Sequence, residues 1–216
     1  MLWVFDINET MLDLAPLDAV FAEAGMPGRR TDWFDLLIRT ALVTTATGQY
    51  RDFGQLGGAV IKSIAERDGV TLADDVPQRL GAALRSLPAH PEVSAALSAL
   101  RDRGQRVVAL GNSPAAVIDA QLDGAGLRPL FDGVYSVEQA GMLKPGPAPY
   151  KHVLESEGVD AAGAVMVAAH DWDIAGAQAV GLRTAFVSRF GRRPLPGWPE
   201  PDIVAPDLLA ATRTDP

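Results

Sequence analysis

The chain has 216 residues, 48% of them apolar, with 27 acidic against 19 basic side chains and a formal charge of −8. That is enough chain to bury one domain with a sizeable insertion or two small lobes, and its acidity disfavours a nucleic-acid partner, whose binding draws on clustered cations. Without cysteine it has no disulfide framework, no thiolate metal site and no cysteine nucleophile.

The first element is LWVF, residues 2 to 5, a continuous apolar run of the kind a strand covered on both faces shows. The chain enters it without a basic leader, and no window reaches the length of a membrane span, so a soluble cytoplasmic protein with no membrane partner is expected. The strand ends on Asp6, followed by Asn8, an acid and Thr10. From about Leu14 to Leu87 the pattern turns helical. TDWFDLLIRTALVTTATGQY places Trp33, Leu37, Ala41 and Leu42 on one stripe, and FGQLGGAVIKSIAERDG and VPQRLGAALRSL also read as helices. Residues 14–87 are therefore predicted to form a helical cap inserted after the first strand, and residues 1–13 and 88–216 the core domain.

Beyond the insertion, strands RVVAL (106 to 110), AVMVAA (164 to 169) and RTAFVS (183 to 188) alternate with helical patterns. PEVSAALSALRDRG, PAAVIDAQLDGAG, PAPYKHVLESEG and DIAGAQAVG each close on glycine, as a helix C-cap does. Such alternation predicts an α/β fold, a Rossmann-like parallel sheet with helices on both faces. RFGRR, Arg189 to Arg193, reads as a solvated loop, and Pro194 to Pro206 as a loop around a short last strand.

In open α/β sheets ligands bind outside the carboxyl ends of the strands. Asp6, Asn112 with Ser113, and the segment Ala168 to Asp173 fall at such ends, and Lys144 lies in the loop before the next helix. Each has a plain structural reading. Asp6 can begin a turn, Ser113 can cap the helix that Pro114 opens, Lys144 can lie on the surface and Asp171 can be an N-cap. All four converging on one crevice favours a catalytic site.

FDINETMLDL, LGNSP, LKPGPAPY and AAHDWDIAGAQAVGL together resemble the haloacid dehalogenase superfamily, most closely its type II 2-haloacid dehalogenase branch. GQYRDF, residues 48 to 53, is similar to that branch's cap helix ending. The resemblance implies that Asp6 attacks the halogen-bearing carbon to form an ester, which water then cleaves at the Asp6 carbonyl. It places Lys144 beside Asp6 as its counter-charge, Thr10 on the same loop, and Asp173 either holding Lys144 or helping to activate the water. Tyr150 matches a tyrosine near the substrate, or else packs on the cap. A dimer through the cap is implied as well.

Asn8 stands where phosphatases of the superfamily carry an aspartate that protonates the leaving alkoxide. Halide needs no proton, and an amide cannot supply one. Ala169 stands where those phosphatases have an acidic metal ligand, so no metal or other cofactor is expected. The branch's halide-binding arginine aligns with Phe34, and its work either is lost or passes to Arg39, whose alternative reading is a solvated residue. Gly111 replaces a serine, which leaves a haloacid carboxylate to backbone amides, Asn112 or Ser113. His170 replaces an asparagine near the reaction centre and orients water, binds halide or fills the strand end. The expected activity is hydrolysis of short 2-haloacids, a small-molecule substrate; a phosphatase or a non-catalytic binding protein on the same fold are the alternatives.

Overall fold

The structure, a computed structural model, describes residues 1–213. Six parallel strands form one sheet: β1 (Leu2–Phe5), β2 (Arg106–Gly111), β3 (Gly133–Ser136), β4 (Ala164–Ala168), β5 (Arg183–Val187) and β6 (Ile203–Ala205). Their order is β3-β2-β1-β4-β5-β6. The chain builds outward from β1 on one side, then returns to β4 on the other, so the order reverses between β1 and β4. That reversal opens a crevice at the strands' carboxyl ends.

Alternation along β1 gives the sheet two cores. Trp3 and Phe5 point to the face covered by α5 (Val93–Asp102), α6 (Ala115–Gly124) and α9 (Leu208–Ala211). Leu2 and Val4 point to the face covered by α7 (Pro147–Glu157) and α8 (Asp171–Val180). α7 opens with proline in its first turn, and α7 and α8 each end on a glycine with left-handed backbone, at Gly158 and Gly181.

Between β1 and β2 lie α1 (Leu17–Glu23), α2 (Arg30–Ala46), α3 (Phe53–Arg67) and α4 (Val76–Leu84). Trp33 pins three of them. Its ring centroid lies 5.8 Å from that of Phe21 on α1, and its indole N–H donates to the Gly57 carbonyl of α3 at 2.9 Å. The α3 N-terminus is capped by Asp52, which accepts from the Gln55 N–H at 2.8 Å. These helices reach the strand ends: Phe34 on α2 lies 5.5 Å from the His170 ring.

Several expectations change. The buried stripe of α2 is Trp33, Phe34, Leu37, Ile38 and Ala41, while Leu42 is exposed. Strand β3 was not foreseen; GVYS is short, at the sheet edge and only partly buried, so it lacks the apolar signal of the inner strands. RFGRR is not a solvated loop throughout. Arg189 is buried, donating from Nε to the Thr10 carbonyl at 2.8 Å and pairing with Glu92 at 2.6 Å.

Candidate active site

Asp6 stands where β1 runs into the crevice, its N–H bonded to the Val167 carbonyl of β4 at 3.0 Å. The residue is 5% exposed, and both carboxylate oxygens are held. Oδ1 accepts from Lys144 Nζ at 2.8 Å. Oδ2 accepts from the Thr10 hydroxyl at 2.6 Å and faces His170 Nδ1 at 3.2 Å. Thr10 Oγ1 in turn accepts the Ala169 N–H at 2.9 Å, tying the loop after β1 to the end of β4.

Lys144 is fully buried, and its three ammonium protons have three acceptors: Asp6, Asp173 Oδ2 at 2.6 Å and the Leu110 carbonyl at 2.9 Å. Its backbone is fixed too, the N–H donating to Asn112 Oδ1 at 2.8 Å. Burial would lower the lysine's pKa, but the charges of Asp173 and Asp6 raise it above the ordinary value. For Asp6, burial is outweighed by Lys144 and His170, which hold it well below the usual carboxylate range. Asp173 is pushed up by burial against the pull of Lys144. Tyr150 donates to Asp173 Oδ1 at 2.5 Å, and burial with that anion keeps its phenol protonated.

On the other side of Asp6 is a second charged chain. His170 Nε2 lies 3.0 Å from Glu9 Oε2, and Glu9 pairs with Arg192 at 2.6 Å and Arg30 at 3.8 Å. Burial favours a neutral ring, yet the hydrogen bonds to Asp6 and Glu9 push His170 up to about 8. Glu9 is held below the usual range by His170 and Arg192 despite its burial. It adopts a left-handed backbone, φ 61°, uncommon for a residue with a side chain. Trp172 stacks on the His170 ring at 5.0 Å and 18°, fixing the imidazole from the side.

Asp6, Thr10, Lys144, Asp173 and His170 thus form one connected cluster. Asn112 braces Lys144, and Ser113 and Asn8 line the space beside Asp6. The Asn8 carboxamide oxygen accepts from Gln121 at 3.0 Å. Two residues fall elsewhere. Tyr150 lies behind Asp173, packed in the core of the opposite sheet face, rather than beside the substrate space. Arg39 is exposed and does not line the space at Asp6; it lines an outer cavity of about 350 Å³ that shares Phe34, Ile38, His170 and Trp172 with that space. Glu9 and Arg192 went unassigned in the sequence. Nothing local marks them, because their partners are far along the chain; an acid just past a strand-end carboxylate is the only signal.

The space enclosed beside Asp6, lined by Phe34, Ile38, Phe53, His170 and Trp172 among others, is about 10 Å³. That suits about one water molecule, so a larger ligand requires these side chains to move. A Cβ on Gly111 would meet the terminal methyls of Ile118 at 2.8 Å and Ile7 at 2.9 Å, so the serine expected there requires those two side chains to shift.

The donors do not fit a divalent cation. Lys144 and His170 already occupy the Asp6 oxygens, Ala169 offers no carboxylate, and Asp171 Oδ1 accepts the Trp172 N–H. A buried aspartate held at both oxygens thus stands at the switch point of a Rossmann-ordered sheet, where open α/β folds bind their ligands.

A family model described as haloacid dehalogenase-like hydrolase matches residues 2–181, and the chain belongs to that family. Haloacetate dehalogenase H-2 of Moraxella sp. (strain B) is 28% identical over 192 residues, covering 87% of this chain and 85% of its own. Phosphoglycolate phosphatase of Rhodospirillum rubrum is 31% identical over 192 residues, covering 88% and 74%. The structure of L-2-haloacid dehalogenase from Xanthobacter autotrophicus with chloropropionic acid covalently bound superposes with a TM-score of 0.89 over 98% of this chain and 96% of that one, at 22% identity. The family and fold expected from the motifs are borne out.

Proposed function

We propose that the protein is a 2-haloacid dehalogenase acting through an aspartyl ester. The observation that carries this is Asp6, buried, ionised and held at both oxygens, facing a space whose lining includes no second carboxylic acid to protonate a leaving group. In the first step an Asp6 oxygen attacks C2 of the haloacid. The C–O bond forms as the carbon–halogen bond breaks, and the halide leaves with the bonding pair, so no proton moves. The Asn112–Ser113 turn receives the substrate carboxylate.

In the second step water adds to the Asp6 carbonyl carbon, the ester bond breaks and a 2-hydroxy acid leaves. One water proton goes to the alkoxide and the other to a base. His170 suits that base because of its charge coupling. The Asp6 anion helps hold the imidazolium, and esterification removes that anion, so the ring releases its proton to solvent and, neutral, takes the one from the attacking water. Glu9 keeps the ring oriented.

The related phosphatase is a specific reason to weigh phosphoester hydrolysis. Asn8, Ala169 and the cationic filling of the Asp6 oxygens disfavour it. A cap role for residues 14–87, a homodimer and a cytoplasmic location complete the reading; among the described residues no helix is long and apolar enough to cross a membrane.

The test is halide release from 2-chloropropionate in excess chelator, with a single turnover in heavy-oxygen water. Label in Asp6 is the expected result. Label confined to the product, or robust magnesium-dependent phosphatase activity, overturns the reading.

A further inference from the structure

A cavity of about 390 Å³ lies between α2, α3, α4 and the start of α6. Trp33, Leu37, Phe53, Leu80 and Leu84 make it mainly apolar. It shares Asn8, Phe34, Phe53 and Ser113 with the small space beside Asp6. That common wall sets the cavity directly beside the space at Asp6.

Two glycines indicate that the space is kept open. Gly58 in α3 and Gly81 in α4 both line it. A Cβ at Gly58 would meet only Pro77 at 3.8 Å, and at Gly81 only the Arg85 guanidinium at 3.7 Å, both ordinary contacts. Packing therefore does not demand glycine at either place, and glycine weakens a helix interior relative to alanine. Gly57 is different, since a Cβ there would press on Trp33 at 3.2 Å. The volume is ample: an apolar cavity of roughly 150 Å³ in another protein holds benzene.

From this juxtaposition we infer that the cavity is a subsite for the alkyl or aryl chain of the substrate, extending its range from short acids to 2-haloacids with several apolar carbons beyond C2. The inference rests on the dehalogenase reading for the reaction, while the subsite itself rests on the cavity. Trp33 and Phe53 give the chain its walls, and Asp6 remains the nucleophile.

The experiment compares kcat/KM for 2-bromopropionate, 2-bromohexanoate and 2-bromooctanoate in the wild type, Gly58→Leu and Gly81→Leu, with calorimetric binding of halogen-free octanoate to each. The expected result is a rise of roughly fourfold for each further buried methylene. The leucine variants lose most of that rise and their octanoate binding, and turn over 2-bromopropionate within about twofold of the wild type. Circular dichroism verifies their folding. Turnover confined to the short acid, with no octanoate binding, overturns the subsite and leaves the reaction standing. Octanoate binding that Gly58→Leu blocks, without turnover of any haloacid, supports the subsite and overturns the reaction. A chain-length rise that neither leucine affects also overturns the subsite.

Discussion

Glu9 and His170 form a buried pair, Oε2 to Nε2 at 3.0 Å, in which the acid bears on the proton affinity of the ring that faces Asp6. Replacing Glu9 by glutamine keeps a hydrogen-bond acceptor and removes the charge. Since that charge helps raise the ring to about 8, the His170 titration midpoint in Glu9→Gln is expected to fall towards or below the ordinary 6.5. Proton NMR of the imidazole across pH 5 to 9 measures it. An unmoved midpoint removes Glu9 from the pair's electrostatics.

The same raised ring makes stability depend on pH. A folded-state value of about 8 against 6.5 unfolded gives a contribution fully present below pH 6.5 and lost as pH rises through about 8. At roughly 1.4 kcal/mol per pH unit it amounts to about 2 kcal/mol. Urea unfolding at pH 6 and pH 9 is expected to show this loss in the wild type and not in His170→Asn. Equal slopes for the two proteins across that range contradict the coupling.

Lys144 neutralises two buried carboxylates at once, Asp6 and Asp173. Lys144→Ala leaves them facing each other in a site almost closed to water, a loss of roughly 3–5 kcal/mol. The surviving carboxylates relieve this by taking up a proton, so both turnover and the ionised state of Asp6 go together. Chemical denaturation with parallel activity measurement checks it, and a variant as stable and active as the wild type rules the bridge unimportant.

What was legible in the sequence follows from how far each signal reaches. The inner strands β1, β2, β4 and β5 were visible as apolar runs because both faces are covered, and Asp6, Lys144 and Asp173 because they stand in local motifs. Strand β3, half exposed at an edge, carried no such run. Spacing along α2 leaves Arg39 either a site residue or a solvated one; the helix turns Ile38 to the space at Asp6 and sets Arg39 on the adjoining outer cavity. Glu9, Arg189 and Arg192 depend on pairings between the first loop and the segment after β5, which no local pattern announces.

Gly111 stands where a larger residue requires neighbouring side chains to move. Gly111→Ser puts a Cβ within 2.8 to 2.9 Å of two isoleucine methyls, those of Ile118 and Ile7. Overpacking of this kind costs about 1–3 kcal/mol. Trimming the crowded chain in the Gly111→Ser, Ile118→Val double variant is expected to recover part of that loss in thermal unfolding. No recovery places the strain elsewhere.

Asp6→Asn separates the nucleophile from the electrostatics around it. The amide is nearly the shape of the carboxylate, and turnover is expected to vanish while circular dichroism stays native. Neutral at the attacked position, it also imitates the charge of the ester intermediate. In the wild type Asp6 Oδ2 faces His170 Nδ1 at 3.2 Å and helps to raise the ring to about 8. Without that anion the His170 midpoint is expected to drop below its wild-type value even with Glu9 intact, so that near pH 7 the ring passes from mostly protonated to substantially neutral. The same NMR titration reads it. A midpoint still near 8 in Asp6→Asn means that ester formation does not release the ring's proton, and the hydrolytic base must then be sought in another residue.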